Sequence, residues 1–291
     1  MQKIGLIQVL RAVAANLVVV SHLSAIEAKY GSGYAVLPSL ESLGRLGVHI
    51  FFVISGFVMA LLFQQRPDWR TFLWDRVTRI YPIYWVYTAI VLAIAAIAPN
   101  VVNSSFEHQP SIMKSLALWP DDGLPWLAVG WSLIHEMYFY LVMAFLLFIR
   151  ANLVAGLIAW SAILALPIPH SRPELAVILS PLTYEFIAGA LLALIVARFR
   201  NLNLRSLRFF ERLGDASYSV YLSHVLVLSL LGRIFVFLPW HGWMIEAAFL
   251  LVSIILANMW GVISYRFLEK PLMSAARTGA QRPADYAAVV R

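Results

Sequence analysis

The chain has 291 residues, of which 61% are hydrophobic and 13% charged, with a mean hydropathy of +0.78 and a formal net charge of +7. Soluble domains carry about twice that charged fraction, so a water-soluble globule is excluded. The absence of cysteine excludes disulfides, thiolate metal sites and cysteine nucleophiles, and no metal is expected. Nucleic-acid binding is not expected either, because most basic residues flank apolar stretches, where they orient a chain in a membrane.

Residues 80–106 and 151–171 hold no Asp, Glu, Lys or Arg, and about 20 apolar residues suffice for a helix to cross a bilayer. The expected fold class is all-α, a polytopic transmembrane helical bundle. Eight spans are read at about 5–28, 44–64, 80–98, 126–149, 152–169, 174–197, 215–238 and 243–267. With the N-terminus inside, 16 of the 22 basic residues fall in inner segments, among them Lys3, Arg66, Arg70, Arg76, Arg79, Arg150, Arg198, Arg200, Arg205, Arg282 and Arg291. That bias predicts an even number of crossings with both termini cytoplasmic. The segment 1–274 reads as one transmembrane domain, and 275–291, small, polar and without hydrophobic periodicity, as a disordered cytoplasmic tail.

Ionisable groups within spans are costly and mark function by default. In the first span Arg11 and His22 are eleven residues apart, a net rotation of about 20° and a rise of about 16 Å, so both project from one helix face. The second span carries Ser55 between small residues Gly47 and Gly56, a pattern read as close helix packing. At the start of the third, Arg76 and Arg79 are neighbours on a helix face, suited to gripping phosphates. The outer loop, 99–125, holds Glu107, His108, Asp121 and Asp122 and has room for a short interfacial helix. The fourth span sets Glu136 about one turn below Trp131, a carboxylate that needs a partner. The sixth carries Glu185. In the seventh, Asp215 resembles a helix N-cap, and Ser217, Tyr221 and His224 share a face and are read as structural bonding groups. Arg233 lies further along that span, Glu246 lies in the eighth, and Pro271 marks the end of the last helix.

Taken in order, these motifs resemble the acyltransferase-3 family of integral membrane acyltransferases, from Leu10 to Pro271. The family's Arg followed eleven residues later by His matches Arg11 and His22. Its Phe-Phe-Val-x-Ser-Gly-Phe run matches Phe51 to Phe57, and its Arg-x-x-Arg-Ile-x-Pro element matches Arg76 to Pro82. Trp-Ser-Leu-x-x-Glu-x-x-Phe-Tyr matches Trp131 to Tyr140, Gly-x-x-Ser-Tyr-x-x-Tyr-Leu-x-His matches Gly214 to His224, and Glu-x-Pro matches Glu269 to Pro271. Within the family the chain is similar to bacterial exopolysaccharide O-acetyltransferases of succinoglycan type. Ten crossings are usual in the family, against eight read here.

The resemblance implies a multi-pass protein of the bacterial inner membrane that moves an acetyl group from acetyl-CoA to a carbohydrate hydroxyl, on an exopolysaccharide or its lipid-linked repeat unit. Acyl transfer to an alcohol needs a base for the hydroxyl proton, and imidazole suits neutral pH. His22 is assigned that role, with Glu136 as the group that orients or polarises it. Arg11, Arg76 and Arg79 are assigned to the phosphates of coenzyme A. Direct transfer and an acyl-histidine route are both compatible with these residues. A transporter or flippase for a polysaccharide precursor would also need intramembrane charges, but the repeat halves common in transporters are not visible.

Overall fold

In the computed structural model, described for residues 5–31, 33, 36–37, 40–102, 109–169, 172–196, 208–239 and 242–277, all regular structure is helical. The helices are α1 (Gly5–Tyr30), α2 (Glu41–Gln64), α3 (Trp69–Ile97), the single turn α4 (Pro99–Val102), α5 (Ile112–Ala117) and α6 (Trp131–Phe148), entered by a 3₁₀ turn at Ala128–Gly130. There follow α7 (Leu153–Leu164), α8 (Pro173–Ile178), α9 (Leu182–Val196), α10 (Arg208–Val236) and α11 (Trp243–Ser264), which runs through a π-helical turn, Tyr265–Glu269, into α12 (Lys270–Arg277). Lys3, the 103–108 part of the outer loop with Glu107 and His108, Arg198, Arg200, Arg205 and residues 278–291 of the tail lie outside the described residues.

Seven stretches among the described residues are long and apolar enough to cross a membrane: Gly5–Tyr30, Glu41–Gln64, Trp69–Ile97, Ala128–Phe148, Pro173–Val196, Leu213–Val236 and Trp243–Arg277. The stretch expected as a further span, 152–169, instead forms the 12-residue apolar helix α7. Asn152 caps its start, its side chain accepting from Ala155 N, and the helix stops short of Pro167 and Pro169, whose rings disfavour helix in the residues before them. Pro181 interrupts the next span in the same way, between α8 and α9.

Three other boundaries differ from the sequence reading. The third helix begins at Trp69, not near residue 80, because the Asp68 carboxylate accepts from Arg70 N and Thr71 N as an N-cap; it carries Pro82 in its interior. Asp215 lies inside α10, which is already helical from Arg208, and so is not an N-cap. The last helix passes its expected end as a π-helical turn and runs on without a break into α12, so Pro271 lies within a continuous helix, just after the π-helical turn, and does not end it.

The chain packs as two units, one of described residues 5–51 and 208–271, the other of 52–196 and 272–277; the boundary at 51/52 falls within α2. In the first, Ala15, Val19 and Leu23 form a stripe of four-residue spacing on α1 that buries against Val220 and Leu228 of α10 and Leu250 and Ala257 of α11. Helices α1 and α10 run parallel: a Cβ at Gly214 would collide with the Gln8 carbonyl, and one at Gly232 with the Tyr30 ring. Asn16 and Asn258 exchange hydrogen bonds of 3.2 and 2.8 Å, tying α1 to α11. Near the end of α1, buried Glu27 accepts from Val36 N and Leu37 N at 2.5 and 2.9 Å.

In the other unit, Gly56 of α2 and Gly189 of α9 each lie against the other helix's backbone, at Phe186 and Val53, which no side chain would allow. Phe139 of α6 anchors an aromatic core, with ring centroids 4.5 Å from Phe186, 5.4 Å from Phe52 and 6.1 Å from Trp160. Helices α3 and α6 are antiparallel, Trp69 against Phe148 at one end and Tyr84 against Gly130 at the other. Helix α7 in turn runs back along α6, Gly156 beside Leu146 and Trp160 donating to Tyr138 at 2.9 Å.

The loop between α4 and the 3₁₀ turn holds a short helix, α5. It docks halfway along α3, where Tyr81, Tyr84 and Trp85 donate to the carbonyls of Ala117, Ser115 and Leu116 at 2.8, 2.7 and 2.9 Å. Trp119 Nε1 donates to Glu174 at 3.1 Å, joining this loop to the start of α8.

Candidate active-site groups

The residues singled out from the sequence fall into two groups, one in each unit. Arg11 and His22 lie on the uninterrupted helix α1, so the shared face expected from their spacing is present. Both are half-buried. His22 Nδ1 is 3.0 Å from the Val18 carbonyl and 3.4 Å from His224 Nε2, and the two imidazoles meet edge to face with centroids 4.8 Å apart. His224 is fully buried, held by its Nδ1 at 2.7 Å from Tyr221 O and 3.3 Å from Val220 O. The Tyr221 ring packs against both His224 and Phe51. Sequence reasoning placed His224 on a bonding face but had no signal that it meets His22, 202 residues away.

Five residues before His224 on α10, Ser219 donates to buried Glu269 at 2.6 Å, and Ser264 Oγ lies 3.3 Å from Ser219 Oγ. The Glu269 carboxylate thus enters this unit's interior from the π-helical turn, a distortion frequent at functional sites. Glu246 is also buried in this unit, and the Arg233 guanidinium sits over the Tyr30 ring, 5.8 Å from its centroid.

In the other unit, Glu136 has the partners its position calls for. Tyr140, one turn further along α6, donates to its carboxylate, and Ser55 of α2 donates to the same oxygen at 3.3 Å. Ser55 is therefore bonded to a carboxylate as well as set among small packing residues. Arg76 and Arg79 both lie near enough to act electrostatically on Tyr140. Arg76 is 3% exposed, and its Nε and Nη2 have no hydrogen-bond partner among the described residues. It lies about two turns into α3, because Asp68 starts that helix ahead of it. Tyr140 was not singled out from the sequence, although its four-residue offset from Glu136 is a readable signal.

Outside the spans, Lys114 and Asp121 form an ion pair of 2.8 Å, and Asp121 also accepts from Ser111 N at 3.1 Å. The hydrogen bond from Lys114 holds the Asp121 carboxyl below the usual range, and the same bond raises the Lys114 ammonium. Among the described residues no cluster of three His, Asp or Glu is placed to hold a metal ion.

The family described as an acyltransferase domain, acyltransferase-3, matches residues 4–173 and 150–260. The chain is 27% identical over 294 residues to the exopolysaccharide production protein ExoZ of Rhizobium meliloti (strain 1021), a match covering 81% of this chain and 92% of the relative. No solved structure matches significantly. With seven apolar spans among the described residues and a bacterial relative, the chain is a multi-pass protein of a bacterial inner membrane. The family match takes in Arg11, His22, Arg76, Arg79, Glu136 and His224, and the chain belongs to the acyltransferase-3 family of membrane acyltransferases.

Proposed function

We propose that this protein is an O-acetyltransferase that moves an acetyl group from cytoplasmic acetyl-CoA to a hydroxyl of a carbohydrate, an exopolysaccharide or its lipid-linked repeat unit. The carbohydrate is suggested by the relative's name, and a CoA-type donor by the family. The observation that carries the reading is the setting of His22: a half-buried imidazole on the same face of α1 as Arg11, with one ring nitrogen engaged by Val18 and His224. In the reaction, His22 takes the proton of the acceptor hydroxyl as its oxygen attacks the thioester carbonyl. The carbon–sulfur bond then breaks, and the proton passes to the departing thiolate.

Glu136, to which Tyr140 and Ser55 donate, is the carboxylate that orients or polarises the base in this reading. Arg76 supports the assignment of Arg11, Arg76 and Arg79 to the donor's phosphates, since a buried guanidinium with two unsatisfied nitrogens suits an anion. Membrane lipids surround the spans.

For the topology, we infer eight crossings with both termini cytoplasmic, α7 and the residues after it making the crossing that no long helix among the described residues supplies. Parallel α1 and α10 require an odd number of crossings between them, and α2, α3, α6 and α9 make only four. The antiparallel course of α7 along α6 and the Trp119–Glu174 hydrogen bond support a return to the side of the outer loop.

The test is incubation of the purified protein with labelled acetyl-CoA and an oligosaccharide acceptor. Label esterified to sugar is expected; binding or translocation of the sugar without ester formation would favour the transporter reading instead.

A further inference from the structure

The tautomers of the two facing histidines follow from their partners. A carbonyl oxygen only accepts hydrogen bonds, so His224 Nδ1, 2.7 Å from Tyr221 O, carries a hydrogen, as does His22 Nδ1, 3.0 Å from Val18 O. In a neutral ring the other nitrogen is then a bare lone pair. For His224 that nitrogen is Nε2, which faces His22 Nδ1 at 3.4 Å, so one hydrogen on His22 Nδ1 is shared between Val18 O and His224 Nε2. Hydrogens on both facing nitrogens would collide. For His22 the bare nitrogen is Nε2, which makes no hydrogen bond among the described residues.

From this geometry we infer that His224 is a positioning residue, which holds the hydrogen of His22 on Nδ1 and so leaves Nε2 as the basic nitrogen of the reaction. The inference rests on the reading of His22 as the base and deepens it. The hydroxyl proton arrives at His22 Nε2 and leaves from it to the thiolate, while the Nδ1 hydrogen stays where it is. As the ring becomes an imidazolium, its Nδ1–H donates more strongly to His224 Nε2, and no proton is passed to His224.

The pair is held rigidly. It sits between the two close approaches of α1 and α10, at Gly214 and at Gly232, and the His224 ring is buried with its own orientation set by two main-chain carbonyls. Without His224 only the Val18 carbonyl holds the hydrogen on Nδ1, so the ring is held less firmly in the tautomer and orientation that leave Nε2 basic, and a base held in the wrong one is lost to catalysis.

The test uses the purified full-length protein. His224→Leu is expected to lower kcat about tenfold or more, with the KM for acetyl-CoA unchanged within about twofold. His224→Gln, whose amide oxygen reaches the position of Nε2, is expected to recover most of that loss. Nitrogen-15 spectra of histidine-labelled wild type should show His22 with its hydrogen on Nδ1. Wild-type kcat in a folded His224→Leu, or equal impairment of the Leu and Gln variants, overturns the inference, as does a His22 hydrogen found on Nε2 in the wild type. That last measurement decides the matter even where His224→Leu does not fold. If instead His22→Ala retains activity, the reading of His22 as the base falls first.

Discussion

The Tyr140 hydroxyl donates to the Glu136 carboxylate one helical turn away on α6, and Ser55 donates to the same oxygen. A carboxylate gripped from two sides has a fixed direction, which a group that orients or polarises a base needs. Tyr140→Phe keeps the ring and removes only the donor. A hydrogen bond to a charged group contributes about 1.5–3 kcal/mol, so kcat should fall about tenfold or more while the protein stays folded. Steady-state kinetics of the purified variant check this, and an unchanged kcat contradicts a role for the cluster in the reaction.

Arg76 is buried, and two of its guanidinium nitrogens have no hydrogen-bond partner among the described residues. If these hold donor phosphate, Arg76→Gln should raise the KM for acetyl-CoA about 10- to 100-fold, the worth of a charge-assisted hydrogen bond, and leave the acceptor KM near its wild-type value. Equal changes in both constants, or none, would return Arg76 to a structural or topological role.

The topology is open to labelling because the chain has no native cysteine. Gln65, exposed beyond α2, and Gly123, where a Cβ meets open space, are suitable positions for single cysteines. In spheroplasts an impermeant maleimide should label Gly123→Cys directly and Gln65→Cys only after permeabilisation. The reverse pattern would put the 66–79 arginines outside and contradict a cytoplasmic donor.

The Lys114–Asp121 pair gives the segment 109–126 a pH dependence. Asp121 is held below its ordinary range by the Lys114 hydrogen bond, so its contribution is complete above the unfolded carboxylate range and is lost as pH falls through the lowered folded value. Hydrogen exchange of residues 109–126 should therefore be flat from neutral pH into the ordinary carboxylate range and loosen only below it, after correction for intrinsic exchange rates. Asp121→Asn should loosen the segment already at neutral pH. Identical protection in that variant would show the pair to be incidental, as exposed pairs often are.

Local spacing made a good part of this legible. Arg11 and His22 share a face because α1 is unbroken, and Glu136 with Tyr140 is a four-residue relation that needs no tertiary knowledge. What escaped depended on distant partners or on competing boundary signals. Hydropathy alone takes 152–169 for an ordinary span, yet Pro167 and Pro169 end α7 early. Charge and hydropathy do not show where the third helix begins, which the Asp68 cap sets at Trp69, ahead of Arg76. Asp215 has the chemistry of an N-cap, but the residues before it already continue the helix and Gly214 is needed against the Gln8 carbonyl. The meeting of His22 with His224 arises from the packing of two helices far apart in sequence, on which one chain's periodicity is silent.

The most direct measurement of the central claim is acetyl transfer by His22→Ala. A general base contributes about 10²- to 10⁴-fold, so the variant should lose transfer by at least about 100-fold while matching the wild type in thermal melting and elution volume. One half-buried polar side chain contributes little packing, so the loss would belong to the chemistry. A folded His22→Ala that esterifies its carbohydrate acceptor at the wild-type rate would contradict the account.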